Sequence, residues 1–100
     1  MSLELLSKQK PEVIRALYRL KVEVFKNGAL PTKVKELIAV AIACLLRSEI
    51  CLETHIEAAV ANGATREEVQ EAMLVAMYLA GPSAVVWTDK IDEHIDISGA

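Results

Sequence analysis

The chain has 100 residues, 53% of them hydrophobic but only 4% aromatic, so its core must be aliphatic. A net charge of −3 and a pI of about 5.3 disfavour nucleic acid or an anionic membrane as the main partner, since both select basic patches. Residues 1–10 lack the sustained apolar core of a secretory leader, and the longest apolar run, Leu37 to Leu46, is too short to span a bilayer.

No segment alternates with the period of a strand, and the pattern reads as all-α with about five helices. The first is expected from Pro11 to Lys26. Val13, Leu17, Leu20 and Val24 form its apolar stripe, with Ile14 and Phe25 widening it. Pro11 suits a first turn and Asn27-Gly28 a stop. Ala29-Leu30-Pro31 is a short connection.

The second helix is expected from Thr32, as N-cap, to Arg47. Every residue from Leu37 to Leu46 is apolar, which predicts burial on all sides. Ser48 re-caps the chain and opens a third helix, Glu49 to Ala61, ended by Asn62-Gly63. Thr65-Arg-Glu-Glu68 is a capping box for a fourth helix, whose apolar side is Val69, Met73, Ala76 and Met77. Gly81-Pro82 ends it, and a fifth helix is expected from Pro82 to Glu93, with Ile95 to Ala100 a frayed tail. Met73, Met77, Tyr78 and Trp87 are spaced as core or pocket lining. One domain, 1–100, is expected. The apolar excess in so small a chain points to burial between subunits of an obligate homo-oligomer.

The chemistry concentrates in Ser48-Glu-Ile-Cys51-Leu-Glu-Thr-His55. With Ser48 as N-cap, Cys51 lies in the first turn, where the helix dipole and free N–H groups favour a thiolate. His55, one turn on, shares its face and could accept the thiol proton or stabilise the thiolate. The alternatives are a small buried cysteine and an interfacial histidine. Glu36 opens the apolar run. It is either a solvated first-turn acid or, if inward, a group that needs His55 or Arg47 as partner. Ser48 either caps only or also bonds to a thiolate or substrate oxygen. Cys44 reads as core, too far along the chain from Cys51 for an easy disulfide. His94, the only other histidine, lies in the polar tail. Neither a metal nor a cofactor is expected.

The span from Leu30 to about Val86 resembles the AhpD-like, or carboxymuconolactone decarboxylase, superfamily. The matching parts are Leu-Pro-Thr-Lys-x-Lys-Glu36-Leu-Ile, Cys51-x-x-x-His55, Asn-Gly-Ala-Thr-Arg-Glu-Glu-Val and Gly81-Pro82. In the alkylhydroperoxidase branch, a glutamate precedes a CxxC motif and a histidine follows it. The resemblance implies a peroxide-attacking thiol at Cys51 with a proton relay through Glu36 and His55. Ser48 stands where that branch has its resolving cysteine, so resolution would need an external thiol. Ile50 stands where some members carry a second histidine.

The resemblance further implies an all-α fold assembled as trimers or hexamers; a hexamer is expected, with a trimer second. The function expected is thiol-dependent reduction of a small peroxide in a cytoplasmic, reducing setting, where cysteines stay free. The alternatives are a decarboxylase-like acid–base enzyme acting on a small carboxylate or lactone through His55 and Glu36, and a small-molecule-binding oligomer without catalysis. Carboxylate chemistry would need a cationic anchor, for which Arg47 is the nearby candidate.

Overall fold

The computed structural model describes residues 1–91. Six α-helices follow one another: α1 (Leu3–Gln9), α2 (Pro11–Phe25), α3 (Thr32–Leu46), α4 (Glu49–Ala61), α5 (Arg66–Ala80) and α6 (Ser83–Val86). A 3-10 turn, Trp87–Ile91, completes the described chain. The expected bounds Glu49 and Ala61 are those of α4, and α5 ends at Ala80, directly before Gly81-Pro82.

α3 is the centre of the molecule. Val40, Ala43 and Cys44 pack against Leu52, Ile56 and Ala59 of α4 and against Val69, Met73 and Ala76 of α5. Leu52, Ile56, Val40 and Val69 are the largest fully enclosed aliphatic side chains, and each contributes about 1.5–3 kcal/mol by leaving water. Ile91 closes one side of this cluster. The indole N–H of Trp87 donates to the Cys44 carbonyl at 3.1 Å, which ties the 3-10 turn to the end of α3.

Two chain reversals fix where the functional side chains point. Between α2 and α3, the Thr32 hydroxyl donates to the Phe25 carbonyl at 2.6 Å. The Lys35 ammonium donates to the carbonyls of Val24 and Lys26 at 2.9 and 2.7 Å. Two residues at the start of α3 therefore satisfy orphan carbonyls at the end of α2. Between α3 and α4, Arg47 adopts a left-handed conformation, φ 54° and ψ 38°. The Ser48 N–H then returns to the Ala43 carbonyl at 3.2 Å, a Schellman-type closure with arginine where glycine is usual. Ser48 accepts from the Cys51 N–H at 3.3 Å and opens α4. The capping box of α5 is present, and Glu68 also bonds Lys33 of α3 at 3.0 Å.

Several expectations need correction. Residues 3–9 form a helix that periodicity did not indicate: seven residues hold too little pattern. Ser2 caps it by accepting from the Leu5 N–H, and Glu4 pairs with Lys8 across one turn. Thr32 is the first helical residue rather than the cap, because its hydroxyl is engaged by Phe25. The Asn27 side chain instead accepts the Thr32 N–H at 2.8 Å. α3 is not buried all round. Ile38, Ile42, Leu45 and Leu46 remain exposed, because α4 and α5 cover only one of its faces. Tyr78 is 86% exposed rather than core or pocket lining. The expected fifth helix divides into the short α6 and the 3-10 turn. Glu93, His94 and the tail from Ile95 lie outside the described residues.

Candidate functional site

Glu36 lies in the second turn of α3, facing inward, and is 3% exposed. An unpartnered carboxylate there would be costly. Its Oε2 lies 2.9 Å from Nδ1 of His55 on α4. The reading of Glu36 as a solvated acid is thereby overturned, and its partner is His55 rather than Arg47. An ionised carboxylate only accepts hydrogen bonds, so with Glu36 ionised Nδ1 is the donor, and Nε2 is the ring nitrogen left over. One face of the imidazole stacks on Phe25, with ring centroids 5.5 Å apart and planes 21° from parallel. Carboxylate and aromatic ring together hold the attitude of the imidazole.

Cys51 is exposed, in the first turn of α4, whereas Cys44 is buried; both are free thiols. Burial pushes the Cys44 thiol from 9.0 up to about 11, because a thiolate there would lose its hydration. Cys44 is thus a core residue, as expected, and Cys51 is the accessible thiol. Ser48 is the N-cap of α4, and its oxygen is committed to the Cys51 N–H.

Cys51 and His55 open onto one cavity of about 460 Å³. Its far wall belongs to α1 and α2: Leu3, Leu17, Tyr18, Leu20, Lys21, Val24 and Phe25. Neither Ser48 nor Arg47 is among the lining residues. The structure thus brings Cys51, His55 and Glu36 together, with Ser48 at the helix start behind them. Sequence reasoning missed Tyr18, Lys21 and Phe25 as parts of the site. The signal for Phe25 was its place at the edge of the α2 stripe. Lys21 carried a subtler one, a charge inside that stripe.

Among the described residues, no three His, Cys, Asp or Glu side chains cluster as a metal site. No helix among them is long and apolar enough to cross a membrane.

The arrangement supplies an accessible thiol at a helix N-terminus, an adjacent base and a buried carboxylate behind that base. Its relatives are consistent with a shared scaffold. An uncharacterized protein from the cox locus of Paracoccus denitrificans is 38% identical over 78 residues, 77% of this chain and 70% of its own. A crystal structure of a carboxymuconolactone decarboxylase family protein from Legionella pneumophila, 31% identical, superposes with a TM-score of 0.86 over 98% of this chain and 88% of its own. A second crystal structure, from Burkholderia xenovorans LB400, is 23% identical and shares the fold with a TM-score of 0.74, over 98% of this chain and 83% of its own. The sequence model of the carboxymuconolactone decarboxylase family matches residues 11–91, which include every helix of the core and the whole of the Glu36–His55–Cys51 arrangement. The chain belongs to the carboxymuconolactone decarboxylase family.

Proposed function

We propose that this protein reduces organic hydroperoxides through Cys51 and is recycled by an external thiol. The observation that carries this reading is the exposed Cys51 thiol sharing one cavity with His55, whose Nδ1 is held at 2.9 Å by buried Glu36. His55 takes the thiol proton and becomes an imidazolium that Glu36 stabilises. The thiolate attacks the distal oxygen of the hydroperoxide. The O–O bond breaks, the alkoxide collects a proton from His55, and the products are an alcohol and a Cys51 sulfenic acid. A small thiol condenses with the sulfenic acid, releasing water and leaving a mixed disulfide. A second thiol frees Cys51 and departs as the oxidised disulfide. With Ser48 in place of a second cysteine, the external thiol is obligatory.

The same Glu36–His55 pair suits acid–base chemistry on a lactone or carboxylate; the accessible Cys51 thiol on the same cavity is what favours the peroxide reading. We further propose that the chain is a one-domain subunit of a homo-oligomer, a hexamer before a trimer, working in a reducing compartment. Exposure of Leu46 at 70% and Leu79 at 71% supports burial between copies.

The test is peroxide consumption with and without a small thiol, together with a dimedone-type sulfenate trap read by mass spectrometry. The expected result is thiol-dependent turnover and an adduct on Cys51, both absent in Cys51→Ser. Reduced protein that consumes no peroxide and forms no adduct would overturn the peroxidase reading. Light scattering tests assembly; a monomer at micromolar concentration would overturn the oligomer.

A further inference from the structure

The geometry points to Lys21 as an anchor for the carboxylate of an amphipathic substrate whose apolar part lies between α2 and the Cys51–His55 pair.

The argument starts from the two faces of α2. Glu12, Arg15, Arg19, Glu23 and Lys26 follow one another at helical spacing and form its polar face. Arg15 pairs with Glu12 there, and Lys26 with Glu23 at 2.7 Å. Lys21 is not on that face. It follows Leu17 by four residues and precedes Val24 by three, so it stands inside the apolar stripe. The cavity bears out the placement: Lys21 lines it together with Leu17, Leu20, Val24 and Phe25, opposite Cys51 and His55.

Among the described residues, Lys21 is also the only ionisable side chain lining the cavity other than Tyr18 and the Cys51–His55 pair. Among them it has no hydrogen bond or ion pair, unlike the Arg15 and Lys26 cations of the same helix. Lys21 is exposed and flanked by apolar side chains, so its ammonium is the one lysine or arginine cation that a ligand seated in the cavity meets. The remaining lining is aliphatic and aromatic, which suits a hydrocarbon chain. The ligand class is therefore a monoanionic amphipath, with its carboxylate at Lys21 and its chain along Leu17, Leu20 and Val24. Under the peroxidase reading, on which this assignment of a substrate rests, that substrate is a hydroperoxide of an aliphatic carboxylic acid. Arg47, the cation favoured from sequence, lies outside the cavity lining.

The test separates binding from chemistry. Octanoate and octanol are compared as protectants of Cys51 against iodoacetamide, in the parent, Lys21→Met and Lys21→Arg. Octanoate is expected to protect the parent at about twofold to fivefold lower concentration than octanol, the scale of an exposed ion pair. Lys21→Met should abolish the preference and Lys21→Arg should keep it. Equal protection by acid and alcohol in the parent, or an unchanged preference in Lys21→Met, overturns the anchor. A second arm compares KM for a fatty-acid hydroperoxide with that for its methyl ester, where the parent should favour the acid and Lys21→Met should not. Protection needs no turnover, so a protein that consumes no peroxide yet shows Lys21-dependent protection keeps the anchor and loses the peroxidase reading. A protein that turns over acid and ester alike, without selective protection, keeps the peroxidase reading and loses the anchor.

Discussion

Glu36 and His55 sit on different helices, yet the carboxylate of one lies 2.9 Å from Nδ1 of the other, with the carboxylate almost wholly sealed from water. The imidazole is therefore held by its rear nitrogen, and its other nitrogen is left for chemistry. Glu36→Gln keeps a side-chain oxygen that can accept the Nδ1–H but removes the charge that stabilises an imidazolium. We expect both peroxide reduction and Cys51 alkylation to slow by about tenfold or more, the scale of one hydrogen bond to a charged group. Stopped-flow alkylation of the parent and variant measures it. An unchanged rate would detach Glu36 from the chemistry.

Ser48→Cys has two opposed effects. The new thiol stands one helical turn before Cys51, within disulfide reach. The substitution also removes the oxygen that caps α4, at a cost of about 1 kcal/mol. The expected outcome is a slightly less stable protein in which the Cys51 sulfenate no longer accumulates and a disulfide joining the introduced cysteine to Cys51 replaces it. Peptide mapping after one equivalent of peroxide decides the matter; a persistent sulfenate adduct would contradict it.

Arg47 is the only non-glycine residue with positive φ among the described residues. Side chains resist that region by about 1–2 kcal/mol, whereas glycine in the unfolded chain is freer by about 0.4–1 kcal/mol. Arg47→Gly is therefore expected to stabilise the protein by up to about 1 kcal/mol in urea denaturation. A clear loss of stability would show that the arginine side chain contributes more than its backbone costs.

Cys44 supplies a pH dependence whose sign follows from its burial. Unfolded, the thiol ionises near 9.0; folded, it holds its proton up to about 11. Between these values the native state binds more protons than the unfolded state, so stability falls as pH rises, and below 9.0 the penalty is absent. Cys44→Ala loses core packing at every pH but should decline less steeply than the parent from pH 8.5 to 10.5. Parallel slopes in urea titrations across that range would refute the assignment.

At the opposite end of the scale, Glu68 accepts from the Thr65 backbone and from Lys33, which together hold its carboxyl below the usual value of 4.5. The stability it contributes is present above 4.5 and lost as pH falls through the lowered value. Glu68→Gln should flatten the acid limb of the stability profile below pH 4.5. Thr65→Ala, which breaks the same capping box, should cost about 1 kcal/mol at pH 7. Thermal melts at pH 3.5, 5 and 7 distinguish these outcomes from an indifferent surface pair.

The sequence revealed what depends on local chemistry. Ser48, Asn62-Gly63 and Thr65–Glu68 announce their turns and caps because the partners lie within a few residues. Cys51 and His55 were legible together for the same reason, being one turn apart. The inward turn of Glu36 was not, since its partner lies on another helix and an acid near a helix start is equally at home in water. Phe25 escaped for a related reason: its stacking on His55 depends on the angle at which α2 returns, and that angle is set by Thr32 and Lys35 rather than by α2 itself. The face of α3 carrying Ile38 and Ile42 misled in the other direction, because an apolar run records that burial is favoured without saying whether the cover comes from the same chain.

The junction at Phe25 and Thr32 divides the labour of the site. Glu36, His55 and Cys51 stand on α3 and α4, while most of the cavity wall belongs to α1 and α2, which join that part at one hydrogen-bonded corner. Exchanging Leu17, Leu20 or Val24 changes the space offered to a ligand without touching Glu36, His55 or Cys51. The α1–α2 arm therefore behaves as an interchangeable jaw. Grafted from one relative to another at this corner, it would carry selectivity across while the reactive half stays the same.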